Sequence, residues 1–81
     1  MTVEYTAKFL KNYTDAPRAV QKSCDKQLLF LMNDLRHPSL HAKKYNEVQD
    51  IWQARVNDGW RLYFVIENEV YTLISMTPHP K

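Results

Sequence analysis

Apolar positions change period along this chain, from steps of three and four in the first half to steps of two in the last third. Val20, Cys24, Leu28, Leu31 and Leu35 step by four, four, three and four, which draws one continuous apolar stripe on a helix. Lys22, Asp25, Lys26 and Asp34 fall mostly on the other side, and Phe30 and Met32 widen the face expected to be buried. The pattern predicts a helix over 17–35. Pro17 belongs in its first turn, where a missing N–H costs nothing, and Pro38 forbids helix beyond about Arg36 because it pushes His37 toward extended geometry.

Ahead of that helix, Val3 and Tyr5 mark a short strand over 2–5. Thr6 is an N-cap for a first helix over 7–13, with Phe9, Leu10 and Tyr13 at helical spacing. Residues 37–49 are polar and basic without a clear period; they predict a loop, with room for a short strand near Lys44–Glu47.

From Ile51 onward the period is two. Asn57-Asp58-Gly59 is a turn signal, and the loop length decides which side chains share a face. A two-residue loop mixes Arg61 with Trp52, Ala54 and Val56. A three-residue loop, Asn57–Gly59, pairs Val56 with Trp60 and Arg55 with Arg61. It gathers Trp52, Ala54, Val56, Trp60, Leu62, Phe64 and Ile66 on one face, with Ile51, Gln53, Arg55, Arg61, Tyr63 and Val65 on the other. Register follows the hydrophobic pattern, so the second arrangement is expected, with Gly59 left-handed. Glu67-Asn68-Glu69 makes the next turn. Val70–Met76 is the last strand, and its lack of a polar face predicts an interior position. Pro78 and Pro80 end the ladder.

Composition narrows the class. Eighty-one residues make one domain, 1–81, with a single modest core and no room for a separate cofactor domain. Hydrophobic residues are 44% and charged residues 25%, ordinary for a soluble globular fold. One Cys excludes an internal disulfide and fits a reducing, cytoplasmic setting. Cys24 lies on the apolar stripe and reads as a core residue rather than a nucleophile. No apolar run is long enough for a membrane span, so no membrane partner is expected. The single glycine excludes a Gly-rich phosphate loop. His37, His41 and His79 lack metal-ligand spacing, and neither a metal nor a small-molecule cofactor is expected.

The net charge of +2 matters less than its distribution. Residues 1–46 carry eight Lys/Arg against four Asp/Glu, and residues 47–81 carry three against five. The first part is therefore +4 and the rest −2, with the densest positive cluster from Arg36 to Lys44. Such a cluster meets an anion or is a solvated face.

Arg55 and Arg61, cross-strand neighbours in the predicted register, place like charges opposite each other. That arrangement is unfavourable unless acids pair with them or an anion is bound. Glu47 and Asp50 are the candidate acids nearby. Arginine at both positions suits planar, bidentate contact with phosphate or carboxylate. Histidine is the side-chain type suited to acid–base work near neutral pH, which makes His79 a candidate; the plain alternative is a loose terminal side chain. His41, Lys43 and Lys44 form a second basic wall, or an exposed basic loop. Tyr63, on the arginine face, either stacks on a base or packs across strands.

The order of elements, together with DIWQARV followed by WRLYFVI over 50–66, the LRHP exit of the long helix and the terminal HPK, resembles the RelE/ParE toxin superfamily of bacterial type II toxin–antitoxin systems. The resemblance covers nearly the whole chain. It implies an α+β fold: a short N-terminal strand, two helices, then a three-strand antiparallel meander forming one twisted sheet. It implies a metal-independent endoribonuclease that cuts mRNA on the ribosome and is neutralised by a cognate antitoxin. By that resemblance Arg55 and Arg61 hold the scissile phosphate and His79 is the general acid. His41, Lys43 and Lys44 stand where members carry a base or phosphate-binding groups, with Glu47 a runner-up base; Tyr63 and Lys81 extend the RNA-binding set. A ParE-like inhibitor of DNA gyrase, or a catalytically weak antitoxin-binding relative, shares the fold and stays open as an alternative.

Overall fold

A computed structural model describes residues 2–79. The chain runs β1 (Thr2–Tyr5), α1 (Ala7–Asp15), α2 (Arg18–Asn33), a 3-10 turn (Pro38–Leu40), β2 (Lys43–Asn46), β3 (Ile51–Asn57), β4 (Trp60–Glu67) and β5 (Val70–Pro78). The strands form one sheet in the order β1-β5-β4-β3-β2. β1 lies parallel to β5, and all other pairs are antiparallel.

The α+β class and both helices match the sequence pattern, while the meander has four strands rather than three. The extra member is β2, whose sequence KKYN is polar and alternates exposed and half-buried positions, as an edge strand does. β5 is interior, flanked by β4 and β1, which explains its apolar residues on both faces.

Thr6 starts α1 as the sequence predicts. Its Oγ1 accepts the N–H of Phe9 at 3.2 Å and lies within donating distance of the carbonyls of Leu73 and Ile74. Further along, Asn12 Oδ1 accepts the N–H of Met76 at 3.0 Å, so α1 takes over the β5 edge where β1 ends. α2 is shorter than the predicted 17–35, and Pro17 sits at the N-cap. At its other end Asp34 Oδ1 accepts the N–H of Arg36 at 3.0 Å, a local bond that competes with continued helix.

The core gathers Phe9, Val20, Cys24, Leu28 and Leu31 from the helices against Ala54, Leu62, Phe64, Leu73 and Met76 from the sheet. Burial pushes the Cys24 thiol up to about 12, in keeping with a core role. Met32 does not join this core: it is exposed, and Gln27 is buried instead.

The β3–β4 hairpin keeps the predicted Arg55–Arg61 pairing but reaches it differently. Asn57 pairs with Trp60, and a bulge at Val56 restores the register. The connection is therefore a two-residue turn with a bulge, not a three-residue loop. Gly59 has no positive φ; Asn57 Oδ1 accepts its N–H at 2.8 Å and closes the turn locally. In the β4–β5 turn, Asn68 (φ 50°) and Glu69 (φ 64°) both take the left-handed conformation between the paired Glu67 and Val70, as a type I′ turn requires.

Candidate functional site

Alternation along β3 and β4 turns Gln53, Arg55, Arg61 and Tyr63 away from the core. Two rungs cross this open face: Lys43, Gln53, Tyr63 and Ser75 in one, Arg55, Arg61 and Thr77 in the next. At the second rung lies a cleft of about 430 Å³, lined by His41, Lys43, Gln53, Arg55, Arg61 and His79, with Ala42.

Three elements converge there. β3 and β4 present the two arginines. The 3-10 turn presents His41, which caps it in the left-handed conformation at φ 47° and ψ 42°. A β-unbranched polar residue tolerates that conformation at modest cost, and such backbone is found where geometry is being imposed. The end of β5 presents His79, whose backbone N–H donates to Gly59 O at 2.7 Å and ties the exposed residue to the hairpin turn.

The two arginines avoid mutual repulsion by using the same turn. Arg55 Nη2 forms an ion pair with Asp58. Arg61 Nη1 donates to the carbonyls of Asn57 at 2.7 Å and Trp60 at 2.9 Å, with that of Asp58 at 3.4 Å. The acid beside the arginines is thus Asp58, three residues from Arg55, rather than Glu47 or Asp50.

The predicted residues divide. His41, Lys43, Arg55, Arg61 and His79 come together in the cleft. Lys44 does not: it pairs with Trp52, on the opposite face of β2 from Lys43. There it forms an ion pair with Asp50, lies 4.0 Å from Glu47 and sits over the Trp52 ring at 5.3 Å. The Asp50 hydrogen bond raises its pKa, holding it charged and engaged. Glu47 is an exposed residue of the β2–β3 turn beside Lys44 and lies outside the cleft lining. Tyr63 stands on the open face one rung from the arginines, where its hydroxyl accepts from Gln53 Nε2 at 3.0 Å. Lys81 lies outside the described residues.

Two glutamines that are not among the sequence candidates join the site, Gln53 on the face the alternation gives it and Gln27 without such a signal. Gln53 lines the cleft despite being buried. Gln27, buried on α2, donates to the carbonyls of Arg55 at 2.7 Å and Ser39 at 3.0 Å, and its Oε1 accepts from Ser39 Oγ at 3.0 Å. It clamps the 3-10 turn that carries His41 to the strand that carries Arg55. Its position one residue before Leu28 on the apolar stripe is the only trace of this in the sequence. Among the described residues no three His, Cys, Asp or Glu side chains converge as a metal site. The cleft's donors are guanidinium, ammonium, imidazole and amide groups, a set suited to an anion.

No family model matches the chain, and no curated protein matches it. Solved structures do. Escherichia coli YafQ superimposes with a TM-score of 0.78 at 13% identity, covering 95% of this chain and 91% of that one. A YoeB/ParE toxin from Agrobacterium tumefaciens gives 0.79 at 9% identity, covering 99% and 100%. RelE in the RelE–RelB complex of Pyrococcus horikoshii gives 0.77 at 16% identity, covering 95% and 92%. The likeness read from the residues thus extends to three dimensions over almost the full length of both partners, and this chain has the fold of the RelE/ParE toxins.

Proposed function

We propose that this protein is a toxin of the RelE/ParE superfamily that cuts mRNA without a metal, and that a cognate antitoxin restrains it. One observation carries the reading: Arg55 and Arg61 share an open sheet face and one cleft with His79, His41 and Lys43. Such a cleft fits a phosphodiester with a nucleophile on one side and a leaving group on the other.

RNA supplies its own nucleophile. The 2′-OH attacks the adjacent phosphorus as its proton passes to a base, and the 5′ oxygen leaves as an acid protonates it. The products are a 2′,3′-cyclic phosphate, which can open to a 3′-phosphate, and a 5′-OH. Cations beside the phosphorane oxygens lower the barrier by meeting charge as it develops. Arg55 and Arg61 take that part, His79 is the acid, and Lys43 adds positive charge. His41, which lines the same cleft, replaces Glu47 as the base.

The RelE of Pyrococcus was solved with RelB, and a protein partner of that kind is expected here too. Cell-free translation with primer extension on the mRNA tests the reading. Codon-phased cuts that vanish with Arg61→Ala support it. Intact mRNA together with inhibited gyrase supercoiling supports a ParE-like activity instead.

A further inference from the structure

The cleft is not the end of the open face. One rung from the arginines, Tyr63 of β4 meets Tyr45, two residues beyond Lys43 on β2, edge to face, with ring centroids 4.9 Å apart and planes at 65°. Tyr45 is 60% exposed. The two rings help line a second depression of about 320 Å³, together with Ile51, Ile74, Ser75, Thr77 and Lys8. Lys8 is exposed and makes no ion pair among the described residues.

The linings of the two depressions adjoin. Gln53 lines the first and hydrogen-bonds the Tyr63 hydroxyl of the second, and Thr77 lines the second in the rung of the arginines. Successive rungs on one face stand roughly 6.6–6.8 Å apart, about one nucleotide of an extended strand. Two aromatic rings beside apolar Ile51 and Ile74, with the cation of Lys8 in the same lining, suit a base followed by a phosphate.

We propose that Tyr45 and Tyr63 form a nucleobase subsite one nucleotide from the phosphate cleft, with Lys8 meeting the phosphate beyond it. The occupant is single-stranded RNA, so the inference rests on the nuclease reading. Recognition by stacking is tolerant of base identity, since every base has a π face.

The test is fluorescence anisotropy with a labelled 2′-O-methyl hexauridylate, which cannot be cleaved, beside a ribose-phosphate strand of equal length lacking bases. Tyr45→Ala should weaken the uridylate about tenfold and leave the abasic strand unchanged; Tyr45→Trp should restore binding. Lys8→Ala should weaken both strands and lower the salt slope by about one. Arg61→Ala should weaken both. Equal binding of both strands by wild type and Tyr45→Ala, or an equal loss on both strands, overturns the subsite and leaves the phosphate cleft standing. The first of these is expected if a protein partner covers this face. Failure of wild type to bind either strand removes the subsite and the nuclease reading together.

Discussion

Arg55 and Arg61 stand opposite each other across the β3–β4 ladder, and the turn between them supplies a partner to each. Asp58 takes Arg55 through its carboxylate, while main-chain carbonyls take one nitrogen of Arg61. The difference has consequences. A carbonyl cap leaves the Arg61 charge unneutralised, whereas a carboxylate competes with any incoming phosphate for Arg55.

Removing that competitor should therefore expose Arg55. Asp58→Asn is expected to tighten binding of inorganic phosphate several-fold in an NMR titration at low salt, where surface electrostatics are strongest. Weaker binding in the variant would mean that Asp58 orients Arg55 rather than masking it.

His79 offers a cleaner separation of chemistry from stability. The residue is exposed, and its backbone N–H is what ties it to the hairpin turn among the described residues. His79→Ala should slow mRNA cleavage by about 10²–10⁴-fold with an unchanged urea midpoint. A slow variant that also unfolds early would place the effect in the fold.

Gln27 predicts the reverse. Gln27→Leu strips hydrogen bonds from the carbonyls of Arg55 and Ser39 in a buried setting. The expected destabilisation is about 1–3 kcal/mol, read as a lower urea midpoint at unchanged slope.

Cys24 gives a pH dependence. Its thiol moves from the ordinary 9.0 up to about 12 in the fold, chiefly because burial disfavours the thiolate, with Asp25 a lesser cause. Between those values the unfolded chain has lost a proton that the folded chain keeps. Unfolding then releases a proton, so stability is full below pH 9 and falls as pH rises, by at most about 1.4 kcal/mol per unit. Denaturation at pH 8 and pH 10 checks this; the slope should flatten in Cys24→Ala.

Much of the fold was legible because burial imposes a period. The stripe from Val20 to Leu31 and the alternation from Trp52 to Ile66 each follow from one face meeting the core. Thr6 was legible because an N-cap is a local bond. What escaped depends on contacts that no period records. β2, expected only as a short strand near Lys44–Glu47, runs Lys43–Asn46; it is polar on an edge, and its pairing and bounds are set by β3. The bulge at Val56 reproduces the face segregation of a longer loop, so two different turns predict the same Arg55–Arg61 pair. In the site, alternation put Arg55 and Arg61 on one face, and the tail's anchoring at Gly59 brought His79 to them. Lys44 falls outside the cleft because a strand begins at Lys43, so adjacent lysines point to opposite faces, and Glu47 falls outside it because it sits in the turn after that strand, beside Lys44.

Single-turnover cleavage of ribosome-bound mRNA by wild type, Arg61→Lys and Arg61→Ala, with circular dichroism to verify folding, tests the cationic cleft most directly. The account predicts a loss of about 10²–10³-fold for Arg61→Ala, a partial loss for Arg61→Lys, and 5′-OH ends on whatever product remains. A folded Arg61→Ala protein that cuts at the wild-type rate would contradict it.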